Sequence, residues 1–187
     1  YRGEIELPIG TLTVTTLVIG ELIARFKGGL ETATLTDPLC GVWNRRGFQL
    51  VLRRAAATAG RTGQPLSVVF IDLDGFKTIN DRQGHAMGDQ VLAEFARTLE
   101  AATRPQDSLA RFGGDEFALL MPDTDVTEAL SIGQRLREEI TAVEWSVGAA
   151  EMLPGEHPEA FVARADELML AEKQSRKRAR SLSAESE

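Results

Sequence analysis

The sequence predicts an α/β domain built on a mixed central β-sheet with helices packed against it. Two observations carry that expectation. Residues 66–73 (LSVVFIDL) form a near-continuous apolar run, as a strand covered on both faces would. Further along, stretches of strand character alternate with stretches of helical periodicity. One pair of strands flanks Gly113-Gly114, a turn signal, and reads as a hairpin.

In chain order, residues 1–36 stand apart as an N-terminal segment. The chain opens on Tyr1 rather than Met, which suits a piece of a longer protein. Residues 7–20 are uncharged and rich in Thr, Val and Ile. They read either as the end of a membrane span or sensor domain, or as a soluble strand or helix. Leu22, Ile23, Phe26 and Leu30 then have helical spacing, weakened by Gly28-Gly29. That suits an amphipathic linker or a signalling helix that pairs two chains.

Asp37-Pro38 opens a new unit, because a residue before proline avoids the helical region. Asn44 is placed to cap a helix through Phe48 and Leu52 that ends near Gly60. After strand 66–73 the pattern predicts a helix over 86–102, strands over 108–112 and 116–121, and a helix over 126–140. A strand over 143–150 and a helix over 158–172 complete the domain, set at residues 37–178. The remainder, 179–187, ends Ser/Glu-rich and is expected to be disordered.

A chain of 187 residues with 43% hydrophobic and 26% charged residues is ordinary for a soluble globular domain. A net charge of −7 argues against a general nucleic-acid binder, and no nucleic-acid partner is expected. The single cysteine, Cys40, excludes an internal disulfide and suits a reducing compartment.

Two acidic clusters carry the chemistry. Asp72-Leu73-Asp74 closes the buried strand, and Asp115-Glu116 sits at the hairpin tip. Carboxylates at the ends of adjacent strands can converge, and hard oxygen donors suit Mg²⁺ or Mn²⁺ together with substrate phosphates. Gly113 and Gly114 let a ligand approach the backbone. Either cluster by itself would read first as solvated turn residues.

Residues Gly113 to Phe117 spell GGDEF, and the chain resembles the diguanylate cyclase family that takes its name from this motif. The resemblance spans residues 37–178 through ordered blocks. Asp37-Pro38-Leu39-Cys40-Gly41-Val42-Trp43-Asn44-Arg45-Arg46 is similar to the family's DPLTGLxNRR. Asp72-Leu73-Asp74-Gly75-Phe76-Lys77, Asn80-Asp81, Gly84-His85 and Gly88-Asp89 follow. Ser146-Val147-Gly148, then Ala165-Asp166 and Lys173, complete the set.

The resemblance implies a fold similar to the nucleotidyl cyclase and polymerase-palm fold. It implies condensation of two GTP into cyclic di-GMP and two pyrophosphates, in a cytoplasmic homodimer that could be membrane-anchored through its N-terminal part. It implies that Asp72, the Leu73 carbonyl, Asp115 and Glu116 hold Mg²⁺ or Mn²⁺. Asp115 would act as base, and Lys77 would stabilise the transition state. Asn80 and Asp89 would read guanine, since an amide both donates and accepts while a carboxylate accepts from ring N–H and amino groups. His85 and Phe76 would line the same substrate site, and Lys173 and Lys177 would meet the triphosphate.

By the same resemblance, Arg104-Pro105-Gln106-Asp107 matches the RxxD motif, separated from Gly113 by residues 108–112, and would bind cyclic di-GMP as an inhibitor with Arg135 as a second contact. Four departures from the family pattern stand out. Gly75 replaces an aromatic, Leu170 replaces a tyrosine, Arg176-Lys177-Arg178 stands for Gly-Arg/Lys-Asn, and the connection over 140–143 is short enough to lack an edge hairpin. The alternatives are a catalytically silent domain that binds GTP or cyclic di-GMP, and a cyclase making cyclic AMP or cyclic GMP.

Overall fold

In the computed structural model, which describes residues 35–184, strands and helices are interleaved from Trp43 onward. They are β1 (Trp43–Asn44), α1 (Arg45–Thr62), β2 (Leu66–Leu73), α2 (Phe76–Gln83), α3 (His85–Ala101), β3 (Ser108–Gly113), β4 (Glu116–Pro122), α4 (Val126–Glu139), β5 (Trp145–Glu151) and α5 (Pro158–Ala184). The expectations for residues 7–20, and for the linker helix after them, lie outside the described residues. Among the described residues no helix is long and apolar enough to cross a membrane.

The strands form one mixed sheet in the order β1-β3-β4-β2-β5. β2 is antiparallel to both β4 and β5, β3 is antiparallel to β4, and β1 runs parallel to β3. Every residue of β2 is buried, as its near-continuous apolar run requires. Because side chains alternate along a strand, β2 feeds two cores. Val69, Ile71 and Leu73 pack with Phe95 and Leu99 of α3 and Leu136 of α4. Val68 and Phe70 pack with Phe48 and Leu52 of α1 and with Phe161 and Met169 of α5.

Local chemistry sets several boundaries. Asn44 caps α1, its side chain accepting from Gly47 N–H at 2.9 Å, and Asp125 caps α4, accepting from Glu128 N–H at 2.8 Å. A Cβ on Gly148 would lie 2.1 Å from Ala165 O and 2.2 Å from Met169 N. Only a bare α-carbon lets α5 lie this close to β5.

The structure departs from the sequence expectations in four places, the first being the short strand β1, which has no counterpart in them. α2 has no counterpart in them; it is headed by Gly75 without a side-chain cap and buries only Phe76, so it has no apolar stripe to read. The last helix does not stop at 172 but runs to Ala184, taking in residues 179–184, for which disorder is expected from composition. No Gly or Pro interrupts residues 159–184, and Ala, Arg, Lys, Leu and Glu predominate there, so nothing local ends the helix. β5 begins at Trp145 rather than Val143, and the short connection before it carries no strand.

Candidate active site

The site forms at the C-terminal end of β2. Asp72 stands opposite Glu116 in the β2–β4 register, so the two side chains share a face of the sheet. That face is the one covered by α1 and α5. Leu73 N–H donates to Asp115 O at 3.2 Å, which carries the ladder into the hairpin turn. The turn is held from behind: Arg111 donates to Gly114 O at 3.0 and 2.7 Å and pairs with Asp37 at 3.3 Å. Asp37 also accepts from Leu39 N–H at 3.1 Å and Cys40 N–H at 2.9 Å. The opening motif and the hairpin tip are thus one hydrogen-bonded unit. Gly114 needs its left-handed φ of 52° to turn the chain there.

The electrostatics favour a cation. Burial raises the Asp72 carboxyl above its ordinary range, against the lowering effect of Lys173, and the neighbouring charges of Asp115 and Asp74 raise it further. Glu116 is raised too, first by burial and then by Asp166, Asp72 and Asp115. The Lys173 ammonium, on α5, donates to Asp72 Oδ1. Burial disfavours its charge, but the hydrogen bond and the carboxylates outweigh this and raise its pKa.

These donors suit a hard divalent ion. Among the described residues no three His, Cys, Asp or Glu side chains are arranged to hold a metal by themselves. Mg²⁺ is commonly held by one or two carboxylates together with substrate phosphate oxygens, and this donor set matches that habit. The Leu73 side chain has no donor atom and is buried in the core, so its contribution would come from the backbone carbonyl.

Asp74 has a different part. Its Oδ1 accepts from Ser146 Oγ at 2.9 Å and its Oδ2 from Arg176 at 3.1 Å, while its N–H donates to Glu144 O at 2.7 Å. Both carboxylate oxygens are engaged in pinning the loop. Arg176, one of the departures from the family pattern, also donates to Trp145 O at 2.5 Å and so ties α5 to this loop and to β5. Gly75, a second departure, takes a left-handed φ of 73° that an aromatic residue would reach only with strain.

The expected nucleotide residues lie along α2 and α3. Lys77, His85 and Asp89 are exposed, and Asn80 is half-buried against Gly88. Phe76, expected to touch substrate, is buried in the core. Lys177 is exposed one helical turn beyond Lys173.

The "Diguanylate cyclase, GGDEF domain" family model matches residues 34–179. The chain belongs to this family. It is 40% identical over 152 residues to the response regulator PleD of Caulobacter vibrioides (strain NA1000 / CB15N), covering 74% of this chain and 33% of PleD. It is 36% identical over 146 residues to the diguanylate cyclase DgcM of Escherichia coli K12, covering 78% of this chain and 36% of DgcM. The chain therefore spans about a third of the length of these curated relatives. Among solved structures it resembles the GGDEF domain of DgcB from Caulobacter crescentus in complex with c-di-GMP. That match has a TM-score of 0.73 and 32% identity over 75% of this chain and 88% of that one. The architecture is the palm-like fold of nucleotidyl cyclases.

In this GGDEF domain the RxxD segment is the turn between α3 and β3. Arg104 N–H donates to Asp107 Oδ2 at 2.9 Å, and the Arg104 guanidinium pairs with Glu128 on α4. Arg135 pairs with Glu139 at 3.2 Å and lies two turns along α4 from Glu128, about 10 Å away on the same side of the helix. Asp107 is raised, first by burial, and its Oδ1 is buried without a partner among the described residues. A cavity of about 450 Å³ opens here between Arg104, Asp107, Thr36 and Trp43.

Sequence reasoning missed Arg111 and Glu172. Glu172 accepts from Val147 N–H at 2.5 Å and pairs with Arg137 at 3.0 Å, joining α5, β5 and α4. The only sequence signal for Arg111 was its place two residues before Gly113.

Proposed function

We propose that this chain is an active diguanylate cyclase, joining two GTP into cyclic di-GMP with release of two pyrophosphates. The observation that carries this reading is the in-register pair Asp72 and Glu116 on one face of the sheet, where burial and neighbouring carboxylates raise both carboxyls, with Asp115 next to Glu116 in the chain. Mg²⁺ or Mn²⁺ held by Asp72, the Leu73 carbonyl, Asp115 and Glu116 would offset phosphate charge and acidify the ribose hydroxyl.

The chain's own residues do the rest. Asp115 takes the proton of the 3′-hydroxyl as its oxygen bonds to the α-phosphorus of the second GTP and the bond to pyrophosphate breaks. Lys77 places a compact positive charge beside the transferring phosphate, and Lys173 and Lys177 meet the triphosphate. Asn80 and Asp89 read the guanine edge, with His85 beside them. Each domain offers one GTP site, so two chains must meet about a two-fold axis to complete the reaction. A cytoplasmic setting supplies GTP and suits the thiol of Cys40, and the N-terminal segment would carry any membrane anchor.

Incubation with GTP and Mg²⁺, followed by mass identification of the product, tests the reading. Cyclic di-GMP is expected; cyclic GMP, or no turnover, would overturn it.

The RxxD turn supports product inhibition as part of the same reading. The guanidinium fork of Arg104 can pair with phosphate or a guanine edge, and the unpartnered Asp107 Oδ1 can accept a guanine N–H. Arg104→Ala should keep turnover but raise the inhibitory concentration of cyclic di-GMP about tenfold or more, the loss typical of one charge-assisted hydrogen bond. Equal inhibition of variant and parent would rule out the assignment.

A further inference from the structure

Gly88 lies in the first part of α3 and is buried, with no left-handed backbone angle. Alanine is the stronger helix former at such a place, so conformation gives no reason for glycine. Space does. A Cβ at residue 88 would lie 2.0 Å from Asn80 Oδ1, 3.0 Å from Asn80 Cγ and 3.2 Å from Phe76 Cζ. The crowding comes from side chains, not from the backbone of α2. Asn80 can relieve it by rotating about its own bonds, with both helices left in place. The Asn80 carboxamide is therefore seated against the bare α-carbon of Gly88, in a space that the buried ring of Phe76 also borders. Asp89, the other expected reader of the base, follows Gly88 directly in the chain and is exposed.

We propose that Gly88 is a specificity-determining positioning residue, which seats the Asn80 carboxamide so that it and Asp89 address one guanine edge together. The inference rests on the reading of Asn80 and Asp89 as guanine readers. It adds that this reading depends on the absence of a single methyl group from the facing helix.

The test uses the full chain carrying Asn80→Ala, Gly88→Ala, or both. The probes are 3′-deoxy-GTP and 3′-deoxy-ATP, which lack the attacking hydroxyl and so bind without turnover. Gly88→Ala should melt at or above the parent temperature yet bind 3′-deoxy-GTP about tenfold or more weakly, with its affinity for 3′-deoxy-ATP unchanged. Asn80→Ala should do the same, and the double variant should be no worse than either single one, because both act through one carboxamide. If Asn80→Ala lost discrimination and Gly88→Ala kept it, the role of Gly88 would be overturned while the reading of Asn80 stood. If Asn80→Ala kept full discrimination, the guanine-reading assignment itself would fall. Should Gly88→Ala melt lower and weaken both nucleotides equally, Gly88 would be a packing residue only. The double variant guards against a folding failure: truncating Asn80 removes the closest contact and leaves only Phe76 Cζ at 3.2 Å, so its stability should equal or exceed that of Asn80→Ala, and a lower value would overturn the side-chain account.

Discussion

Asp115→Ala and Asp72→Asn should each lower cyclic di-GMP formation by about a hundredfold or more, the loss typical of removing a preorganised charge-stabilising group. The fold should survive both. Asp115 contributes its carbonyl, not its side chain, to the ladder bond with Leu73, and alanine keeps that carbonyl. Asp72 is only 6% exposed, and asparagine fills the same volume without its charge. The direction of its pKa shift gives the sign expected for stability. A carboxyl whose folded pKa is raised stabilises the fold relative to neutral pH only when protonated, and that advantage is lost as pH rises from its ordinary range through the folded value. At neutral pH the parent carries the cost of a buried charge that Lys173 only partly offsets. An uncharged carboxamide in place of that carboxylate escapes the cost, so the melting temperature of Asp72→Asn at pH 7 should not fall. Binding of Mn²⁺ in the presence of 3′-deoxy-GTP, followed by electron paramagnetic resonance, should weaken in both variants. Near-normal turnover in both would overturn the metal assignment.

Gly148→Ala should have the largest effect on the fold itself. The added Cβ would meet Ala165 O at 2.1 Å, Met169 N at 2.2 Å and Leu168 C at 2.8 Å, all of them backbone atoms. Unlike the crowding at Gly88, this cannot be relieved by turning a side chain; α5 must move off the sheet. Overpacking of this kind costs about 1–3 kcal/mol, which for a domain of this size lowers the melting temperature by roughly 2–12 °C. Function should suffer beyond stability. Lys173 lies one turn past Met169 and reaches Asp72, and Arg176 reaches Asp74 and Trp145 O. A displaced α5 takes both cations with it, and misplacement by about 1 Å can cost a hundredfold in rate. Turnover measured well below the lowered melting temperature should therefore still be depressed by about tenfold or more. An unchanged melting temperature would refute the close-packing argument.

Much of the architecture was legible because its causes are local. The β2 run is apolar but for Ser67 and Asp72 because both of its faces are covered. Asn44 starts α1 through a hydrogen bond to a residue three positions on, and Gly113-Gly114 turns the hairpin within itself. The GGDEF, DLDGFK and RxxD blocks were visible as residue types in order, so the family, the acidic end of β2 and the candidate roles of Asp72, Asp115 and Glu116 could be read without coordinates. α2 escaped because it depends on one buried ring and a glycine start, neither of which leaves a periodic trace.

What only the tertiary structure decided is a set of contacts between residues far apart in the chain. Asp74 is a pin rather than a free carboxylate because Ser146 and Arg176, 72 and 102 positions away, close on its two oxygens. Arg104 is already paired with Glu128, and Lys173 already rests on Asp72. Gly88 and Gly148 look alike in the sequence, yet one faces a side chain that can rotate and the other a backbone that cannot. No pattern along the chain encodes that difference. It arises from the distance of closest approach between packed elements, which exists only once the sheet has brought α2 to α3 and α5 to β5.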